Sequence, residues 1–446
     1  MILLNETYMN KIMDEREKRT EWFMHDRFGM FIHWGLYAIP GRGAWVRSDE
    51  QIPLEAYEPY FEEWNPIFYD PKKWAKAAKN TGMKYAVLTT KHHEGFCLFD
   101  SAYTDYKSTN TKCGRDLVRE FVEAFRAEGL KVGFYYSLLD WHHPDYPAYG
   151  DMYHPDRANE AYKGKEHNFE RYLDYMHNQV RELMTNYGKI DILWFDFSYE
   201  GHLGEDWRGK ELVDMVRSLQ PDIILNGRLE ANGESYGSVM TDDPNIFSGD
   251  FVCPEMIIPP QGLRTPSGRK IPWEACFTMN NEWGYMPMDI HRKTSTQLIK
   301  KLVECTSKNG NMLLNVSPTP KGEIPDWQLK ILEETGEWMH ENSDSIYGCG
   351  MSEFEKPEWG RYTQKGNKLY AHILEESIGA IALPGVKGRV KKARRLADGS
   401  EMLLLTPWVA KEFPDCEFIN YANPEWASFH VDETRDNVIE LELIED

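Results

Sequence analysis

The chain is poor in positive charge. Its 51 Lys and Arg residues stand against 72 Asp and Glu residues, which gives a formal net charge of −21 at pH 7. Proteins that bind nucleic acids neutralise phosphates with clustered Lys and Arg side chains, and the sequence contains no basic stripe of that kind. The acidic residues are spread along the chain, as on an ordinary solvated surface. We therefore expect no nucleic-acid partner.

The lack of a membrane-spanning run and of a signal peptide indicates the cellular compartment of the protein. No apolar run approaches the length of about 20 residues that spans a membrane, and the first residues lack the basic region and apolar core of a signal peptide. The seven cysteines are scattered, odd in number and without CxxC or Cys/His spacing. This pattern favours reduced thiols over a disulfide framework or a metal site. Together these features predict a cytoplasmic protein with no membrane partner and no bound metal.

Eight short apolar runs predict buried strands. They are 28–35, 84–93, 131–137, 191–197, 222–228, 249–255, 273–279 and 311–316. Amphipathic segments separate most of them, and the segment 169–187 ends in Gly188, which suits a helix end. The pattern predicts an α/β fold, a (β/α)₈-like (TIM) barrel over residues 1–346. No clear helix separates the fifth, sixth and seventh runs, so a doubly wound open sheet stays open, although no Gly-rich phosphate motif follows the first strand.

The pattern changes at about Gly348. Short alternating runs follow, divided by Gly, Asp and Asn, which predicts antiparallel strands. These runs are 361–375, 380–384, 393–405, 429–432 and 438–443. We predict a C-terminal β-sandwich domain over residues 347–446.

Polar side chains collect where the predicted barrel strands end. They are His33, His92, His93, Tyr135, Asp196, Arg228 and Glu255, with Trp45, Trp141, Trp194 and Trp283 nearby. The reacting groups of parallel barrels gather at these ends, and so many polar groups are unfavourable together unless they bind something. Asp196, which ends the apolar run 191–197, is the first candidate for chemistry. The alternative interpretation of Asp196 is a structural role, as a helix cap or an ion-pair partner.

Three classes of chemistry fit a barrel site. Metal-dependent hydrolysis needs three or four convergent ligands, but His92 and His93 are adjacent and would diverge on a strand. A phosphate site needs Gly-rich loops after the last strands, and the segment 307–310 precedes the eighth strand instead. Glycoside hydrolysis needs an ionised carboxylate, a protonated acid and an aromatic wall. Asp196 and Glu255 meet that demand.

Seven segments resemble the α-L-fucosidases of glycoside hydrolase family 29. They are FGMFIHWGLYAIP, KYAVLTTKHHEGFCLFDS, GRDLVREF, GFYYSLLDW, DILWFDF, WEACFTMNNEWGY and NGNMLLNVSPTPKGEIP, in the family's order over roughly residues 20 to 340. The resemblance implies a (β/α)₈-like barrel followed by a β-sandwich. It implies a retaining exo-α-L-fucosidase that acts on fucosylated oligosaccharides or glycoconjugates through a covalent fucosyl-enzyme, without metal or cofactor. Formation of a homo-oligomer is left open.

The resemblance also implies roles for individual residues. Asp196 matches the nucleophile, and Glu255 matches the acid/base, which would need a pKa raised by burial. The substrate-binding positions are His33, Trp45, His92, His93, Tyr135, Trp194, Arg228 and Trp283. Of the two adjacent histidines, we expect one to contact the sugar and the other to lie behind it.

The sequence departs from the family in one place and leaves alternatives in others. Many members carry Glu where this chain has Ala44, which removes a second acid from that loop. Glu274 is a rival acid/base, although we expect it to pair with an arginine below the pocket. An α-L-galactosidase with the same mechanism is the nearest alternative activity. A non-catalytic fucose-binding protein is the second alternative, and it would be expected to lack Asp196 or its partner.

Overall fold

A computed structural model describes residues 2–199, 201–231, 235–375, 379–421 and 436–445. Within them, seven parallel strands form one curled sheet in the order β5-β4-β3-β2-β1-β7-β6. The strands are β1 (Phe28–Ile32), β2 (Tyr85–Lys91), β3 (Lys131–Ser137), β4 (Ile192–Asp196), β5 (Ile224–Leu225), β6 (Glu274–Thr278) and β7 (Asn311–Val316). With its covering helices, this sheet forms the predicted (β/α)₈-like barrel.

The sixth predicted strand is the main difference. The segment 249–255 lies between β5 and β6, but it is joined to them only by isolated parallel bridges. These bridges pair Asn226 with Phe251, Val252 with Trp273 and Glu255 with Cys276. Pro254 within the segment has no N–H to donate, so a continuous ladder cannot form there. The barrel is therefore closed at this point by an irregular segment.

Helices cover the sheet, and several begin where the sequence supplies a cap. In the described residues they are α1 (Ile2–Asp26), α2 (Val46–Asp49), α3 (Leu54–Glu63), α4 (Pro71–Asn80), α5 (Leu117–Ala127), α6 (Phe169–Asn186), α7 (Gly209–Leu219), α8 (Ser295–Ser307) and α9 (Asp326–Asn342). The side chains of Asp70, Asp116, Asn168 and Thr294 accept hydrogen bonds from backbone N–H groups of the first turns of α4, α5, α6 and α8. Such caps satisfy donors that a helix start leaves unpaired.

The end of α1 packs against the barrel interior. Phe23 is fully buried, with its ring centroid 4.7 Å from that of Phe251 and 5.6 Å from that of Tyr85. The interior above these rings is filled by side chains from several strands, including Phe31, Tyr135 and others of the same cluster. In the part of the chain that the structure describes, no helix has the length and apolarity needed to cross a lipid bilayer.

The C-terminal part is the predicted antiparallel sandwich. A five-stranded sheet has the order β12-β15-β10-β9-β8, and a three-stranded sheet has the order β11-β14-β13. The strands are β8 (Gly350–Met351), β9 (Gly360–Lys365), β10 (Lys368–Ile373), β11 (Ile381–Leu383), β12 (Val390–Arg395), β13 (Leu403–Leu405), β14 (Glu417–Asn420) and β15 (Asn437–Leu443). Strands β8 and β14 were not predicted, and the predicted run 429–432 lies outside the described residues. The domain boundary after residue 346 stays a prediction.

One buried carboxylate connects the barrel to the helices around it. Asp250, 1% exposed, lies 2.9 Å from Arg19 of α1 and 2.6 Å from Arg217 of α7, and it accepts the backbone N–H of Leu225 in β5. Burial alone would raise the pKa of Asp250. The guanidinium groups of Arg217, Arg19 and Arg16 outweigh burial and lower it to about 2. The ionised carboxylate therefore stabilises the fold above the ordinary pKa of 3.8, and this stabilisation is lost as the pH falls through about 2.

We predict that Asp250→Asn lowers the free energy of unfolding by about 3 kcal/mol, because it leaves several arginines without their buried partner. Urea denaturation at pH 7 measures this. Asp14→Asn is the matched control, since Asp14 lies on α1 and pairs with Arg269 at 3.0 Å, but its side chain is 68% exposed. The control should change stability by less than about 1 kcal/mol. Equal effects of the two substitutions would contradict the assignment.

Candidate active site

Two carboxylates lie at the end of the barrel where the strands have their C-termini, and they share one arginine. Asp196 is the last residue of β4, and Glu255 ends the irregular segment 249–255. Arg228 projects from a short 3-10 turn, Gly227–Leu229, directly after β5. Its Nη1 donates to Asp196 Oδ1 at 2.8 Å, and its Nη2 donates to Glu255 Oε2 at 2.8 Å. The carboxylates are therefore separated by one planar guanidinium group.

The second oxygen of each carboxylate is also bound. The Tyr135 hydroxyl donates to Asp196 Oδ2 at 2.8 Å, and the Trp283 indole N–H donates to Glu255 Oε1 at 3.1 Å. Burial, and then the Asp196 charge, raise the pKa of Tyr135 well above its usual value, so the phenol stays protonated. Burial would lower the pKa of Arg228, but the two carboxylates outweigh it and raise it. Arg228 is therefore permanently charged.

The two carboxylates differ in exposure. The side chain of Asp196 is 13% exposed, whereas that of Glu255 is 43% exposed. The expectation that Glu255 is buried is wrong for this structure, because the irregular segment brings it to the pocket mouth. Asp196 is held inside, at the end of a regular strand. One acid is thus fixed and enclosed, and the other meets solvent.

His33 carries its proton on a defined nitrogen. Its Nδ1 lies 2.7 Å from Asn315 Oδ1, and Asn315 Nδ2 donates to the Trp283 carbonyl at 2.8 Å. This orientation of the amide makes Oδ1 an acceptor, so Nδ1 of His33 is the protonated nitrogen. Burial lowers the pKa of His33 to about 4. The neutral ring is left with a lone pair on Nε2.

His93 is oriented in the same way. The Ser137 hydroxyl donates to the Leu139 carbonyl at 2.9 Å, so it accepts the proton of His93 Nδ1, 2.7 Å away. The ring of His92 stacks on Tyr135, with centroids 5.6 Å apart and 19° between planes. Burial lowers the pKa of both histidines well below its usual value. No group of three or more His, Cys, Asp or Glu side chains in the described residues is arranged to hold a metal ion.

A deep cavity of about 60 Å³ joins these groups. Its lining contains all ten predicted site residues, which are His33, Trp45, His92, His93, Tyr135, Trp194, Asp196, Arg228, Glu255 and Trp283. Both adjacent histidines line it, so neither lies behind the other as expected. Sequence reasoning missed Phe31, Phe197 and Cys276. The sequence could have indicated Phe31, because it lies two residues before His33 and side chains two positions apart on a strand share a face.

A second cavity of about 310 Å³ lies on the outer side of the two carboxylates. It shares Asp196, Phe197, Arg228 and Glu255 with the deep cavity. Three tyrosines contribute to its wall, and they are Tyr153, Tyr199 and Tyr236. The paired carboxylates therefore lie at the junction of a small compartment and a larger one.

The backbone is strained next to both acids. Phe197, directly after Asp196, has a φ of 78°, and Met256, directly after Glu255, has a φ of 57°. Bulky residues rarely adopt this left-handed conformation, which costs of order 1–3 kcal/mol. Such strain persists where the surrounding structure requires it, and it occurs often at active sites. Here it turns the chain sharply away after each carboxylate.

The rival acid lies elsewhere. Glu274 begins β6 and is 0% exposed, at the opposite end of the strand from the pocket. Tyr85 at the start of β2 donates a hydrogen bond to it, so the expected arginine partner was wrong. Burial raises the pKa of Glu274 to about 8. Glu274 lines neither cavity, which leaves Glu255 as the better placed acid.

Comparisons with known proteins agree with this geometry. The family model described as Alpha-L-fucosidase matches residues 4–344. The tissue alpha-L-fucosidase of Mus musculus is 30% identical over 383 residues, which cover 79% of this chain and 77% of that protein.

Solved structures extend the likeness to the whole chain. Alpha-L-fucosidase isoenzyme 1 from Paenibacillus thiaminolyticus is 60% identical, with a TM-score of 0.92 over 97% of this chain and 100% of that one. A GH29 alpha-L-fucosidase from Bacteroides thetaiotaomicron, solved as a trapped covalent intermediate with 2-fluoro-fucosyl fluoride, is 29% identical, with a TM-score of 0.79 over 96% of each chain. On the matched family model, these relatives and the paired carboxylates, the chain belongs to the α-L-fucosidase family, glycoside hydrolase family 29.

Proposed function

We propose that the chain is a retaining exo-α-L-fucosidase in which Asp196 is the nucleophile and Glu255 the general acid and base. The observation that carries the assignment is the pair of hydrogen bonds from Arg228 to both carboxylates. Carboxyl groups bridged by one guanidinium are close neighbours, as in retaining glycosidases, where they stand about 5–5.5 Å apart. The roles differ because the environments of the two acids differ.

In the first step, an Asp196 oxygen attacks the anomeric carbon of fucose. The glycosidic bond breaks as Glu255 gives its proton to the leaving oxygen, and a covalent fucosyl-enzyme forms. In the second step, Glu255 takes a proton from water, which attacks the same carbon and releases Asp196. Two displacements retain the configuration. Tyr135 and Arg228 hold the Asp196 carboxylate in position for both, so little reorganisation is needed at the moment of reaction.

The deep cavity supports an exo mode of action. At about 10–15 Å³ of cavity volume for each water, a cavity of about 60 Å³ holds about four to six waters, which suits one sugar ring. The neutral rings of His33 and His93 offer Nε2 lone pairs that accept hydrogen bonds from sugar hydroxyls. Trp45 and Trp283 supply aromatic surface beside the ring. A terminal fucose fits, and an internal sugar would have to extend through the closed end.

The exposure of Glu255 fits a proton donor to the leaving group. At 43% exposed, its carboxylate is reachable from the outer cavity, where the rest of the substrate would lie. Bound substrate would cover Glu255 and remove water from it, which favours the protonated form. Asp196 needs no such change, because Arg228 and Tyr135 already stabilise its charge.

Three narrower predictions remain proposals. An α-L-galactoside differs from fucose by a hydroxyl at C6, which an apolar pocket excludes poorly, so we expect some turnover of that sugar. We propose a cytoplasmic location, and its support is that all seven cysteines are free thiols, six of them buried. Homo-oligomer formation stays a prediction.

We predict that Asp196→Gly lowers the turnover of an aryl α-L-fucoside by about three orders of magnitude or more. Azide should restore turnover and yield β-L-fucosyl azide, because the small anion attacks where the carboxylate is missing. Product analysis by NMR measures this. Asp191→Asn, at the other end of the same apolar run, is the control and should stay active. Near-normal activity of Asp196→Gly would refute the nucleophile, and fucose binding without turnover in the wild type would favour the non-catalytic alternative.

Glu255→Ala should slow poor leaving groups far more than good ones, because only poor leaving groups need a proton to depart. The comparison is kcat/KM for a fucosyl disaccharide against kcat/KM for dinitrophenyl α-L-fucoside. We expect a loss of at least about 100-fold on the disaccharide and a much smaller loss on the aryl substrate. A uniform loss on both substrates would point away from Glu255 as the acid.

Glu274→Gln tests the rival acid through stability. The pKa of Glu274 is raised from 4.5 unfolded to about 8 folded, so the folded state holds the proton more tightly. Wild-type stability should therefore fall between pH 5 and pH 8, by up to about 1.4 kcal/mol for each pH unit. The Gln variant lacks this dependence, so its stability relative to wild type should rise over that range in urea denaturation. Loss of turnover with unchanged stability would restore Glu274 as the acid.

A further inference from the structure

We propose that Asn226 is a positioning residue, which holds Asp196 and Arg228 in the geometry needed for attack on the sugar. The proposal rests on the proposed function and adds a residue that acts from behind the site. Asn226 is 1% exposed and lies directly after β5, two residues before Arg228. Its side chain contributes to neither cavity in their described linings. It therefore affects the reaction only through the residues that it holds.

The end of β4 lacks a strand partner on one side. The ladder between β4 and β5 stops at Leu193 and Leu225. The chain then leaves the sheet for the short 3-10 turn that carries Arg228. In the described sheet, Phe195, the residue before Asp196, therefore has no ladder partner on the β5 side. Phe195 is 0% exposed, and buried backbone groups are costly to leave unpaired.

The side-chain amide of Asn226 fills this gap. Its Oδ1 accepts the backbone N–H of Phe195 at 2.9 Å, and its Nδ2 donates to the Phe195 carbonyl at 2.8 Å. These partners fix the orientation of the amide, because a backbone N–H can only donate and a carbonyl can only accept. A side chain thus supplies the donor and the acceptor that a strand residue would give, next to the proposed nucleophile.

The backbone of Asn226 packs against the segment that carries Glu255. Asn226 forms an isolated parallel bridge with Phe251 of that segment. Gly249, at the start of the segment, has a φ of 79°, and a Cβ there would lie 2.3 Å from the Asn226 carbonyl oxygen. Glycine is required for so close an approach. Asn226 therefore joins the chain segments of both acids and of the arginine between them.

This joint matters because the attack depends on geometry. The left-handed φ of 78° at Phe197, directly after Asp196, persists only while the surrounding structure enforces it. Asn226 holds Asp196 from the preceding side, through Phe195. Without the amide, the end of β4 is free to shift and to lengthen the 2.8 Å contact between Asp196 and Arg228. A misplacement of about 1 Å can cost about 100-fold in rate.

The first test removes the amide. We expect Asn226→Ala to lower kcat/KM for dinitrophenyl α-L-fucoside at least about 30-fold, and to slow the labelling of Asp196 by 2-fluoro-fucosyl fluoride, followed by mass spectrometry, by a similar factor. The inhibition constant of L-fucose should change less than about threefold, because binding of the sugar in the deep cavity does not require attack. A rise in that constant as large as the loss in kcat/KM would overturn the proposal, as would an unchanged kcat/KM.

Asn311→Ala is the matched control. Asn311 begins β7 at the other end of the barrel, is 0% exposed and donates to the Phe23 carbonyl at 2.7 Å. The substitution removes a buried bond between an amide side chain and the backbone, away from the site. Its kcat/KM should stay close to that of the wild type, and a loss equal to that of Asn226→Ala would contradict the positioning role.

A double-mutant cycle separates positioning from support of the fold. With Asp196→Gly and azide, no carboxylate remains to be positioned, and the dinitrophenyl group leaves without an acid. Adding Asn226→Ala should then change the azide-rescued rate less than about threefold, although it costs at least about 30-fold when Asp196 is present. Equal costs in the two backgrounds would mean that Asn226 only supports the fold.

Asn226→Asp gives a second variant of the same size, on which the cycle is repeated if the alanine variant does not fold. Its ionised carboxylate still accepts the Phe195 N–H but turns an acceptor towards the Phe195 carbonyl. We expect the same pattern, a large loss with Asp196 and a small one with azide, and equal losses would refute the proposal. A wild type that does not cleave dinitrophenyl α-L-fucoside would instead remove the proposed function.

Discussion

The Arg228 guanidinium is the group on which the active site depends. Two ionised carboxylates facing each other without a cation would repel, and one of them would take up a proton. Arg228 reduces the repulsion between the two carboxylates, because its planar fork binds one oxygen of each acid at 2.8 Å. A lysine could not do the same, since its single ammonium lacks the fixed geometry. In the proposed reaction, Asp196 becomes an ester, and the same cation still neutralises Glu255 when it acts as the base.

The rest of the pocket is preorganised by residues that do not face the substrate. Asn315 and Ser137 each fix the proton of a histidine on Nδ1, which decides that the pocket side of His33 and His93 accepts hydrogen bonds. Burial keeps both rings neutral. A site of neutral acceptors around two acids recognises hydroxyl groups without adding charge. That is the chemistry expected for a sugar.

Much of this could be predicted from the sequence, for identifiable reasons. Apolar runs predicted most of the strands, and amphipathic segments predicted most of the helices between them. The residues at the strand ends, together with the family resemblance, predicted ten of the thirteen residues that line the deep cavity. The predictions that failed concern how segments distant in the sequence pair and pack. Pro254 interrupts the sixth strand, and Tyr85 binds Glu274 from a strand 189 residues earlier in the chain. The left-handed conformation of Phe197 and the outer cavity depend on how loops pack, which no short pattern in the sequence encodes.

The irregular closure of the barrel has a consequence for how such an enzyme changes over evolution. Asp196, the proposed nucleophile, belongs to a strand paired over its whole length with β3. Glu255, the proposed proton donor, lies on a segment joined to its neighbours by single bridges. Substitutions and insertions near the second acid therefore disturb few backbone hydrogen bonds. New linkages can be acquired on that side while recognition of the released sugar is inherited intact. Specificity for the linkage and specificity for the released sugar can therefore diverge at different rates.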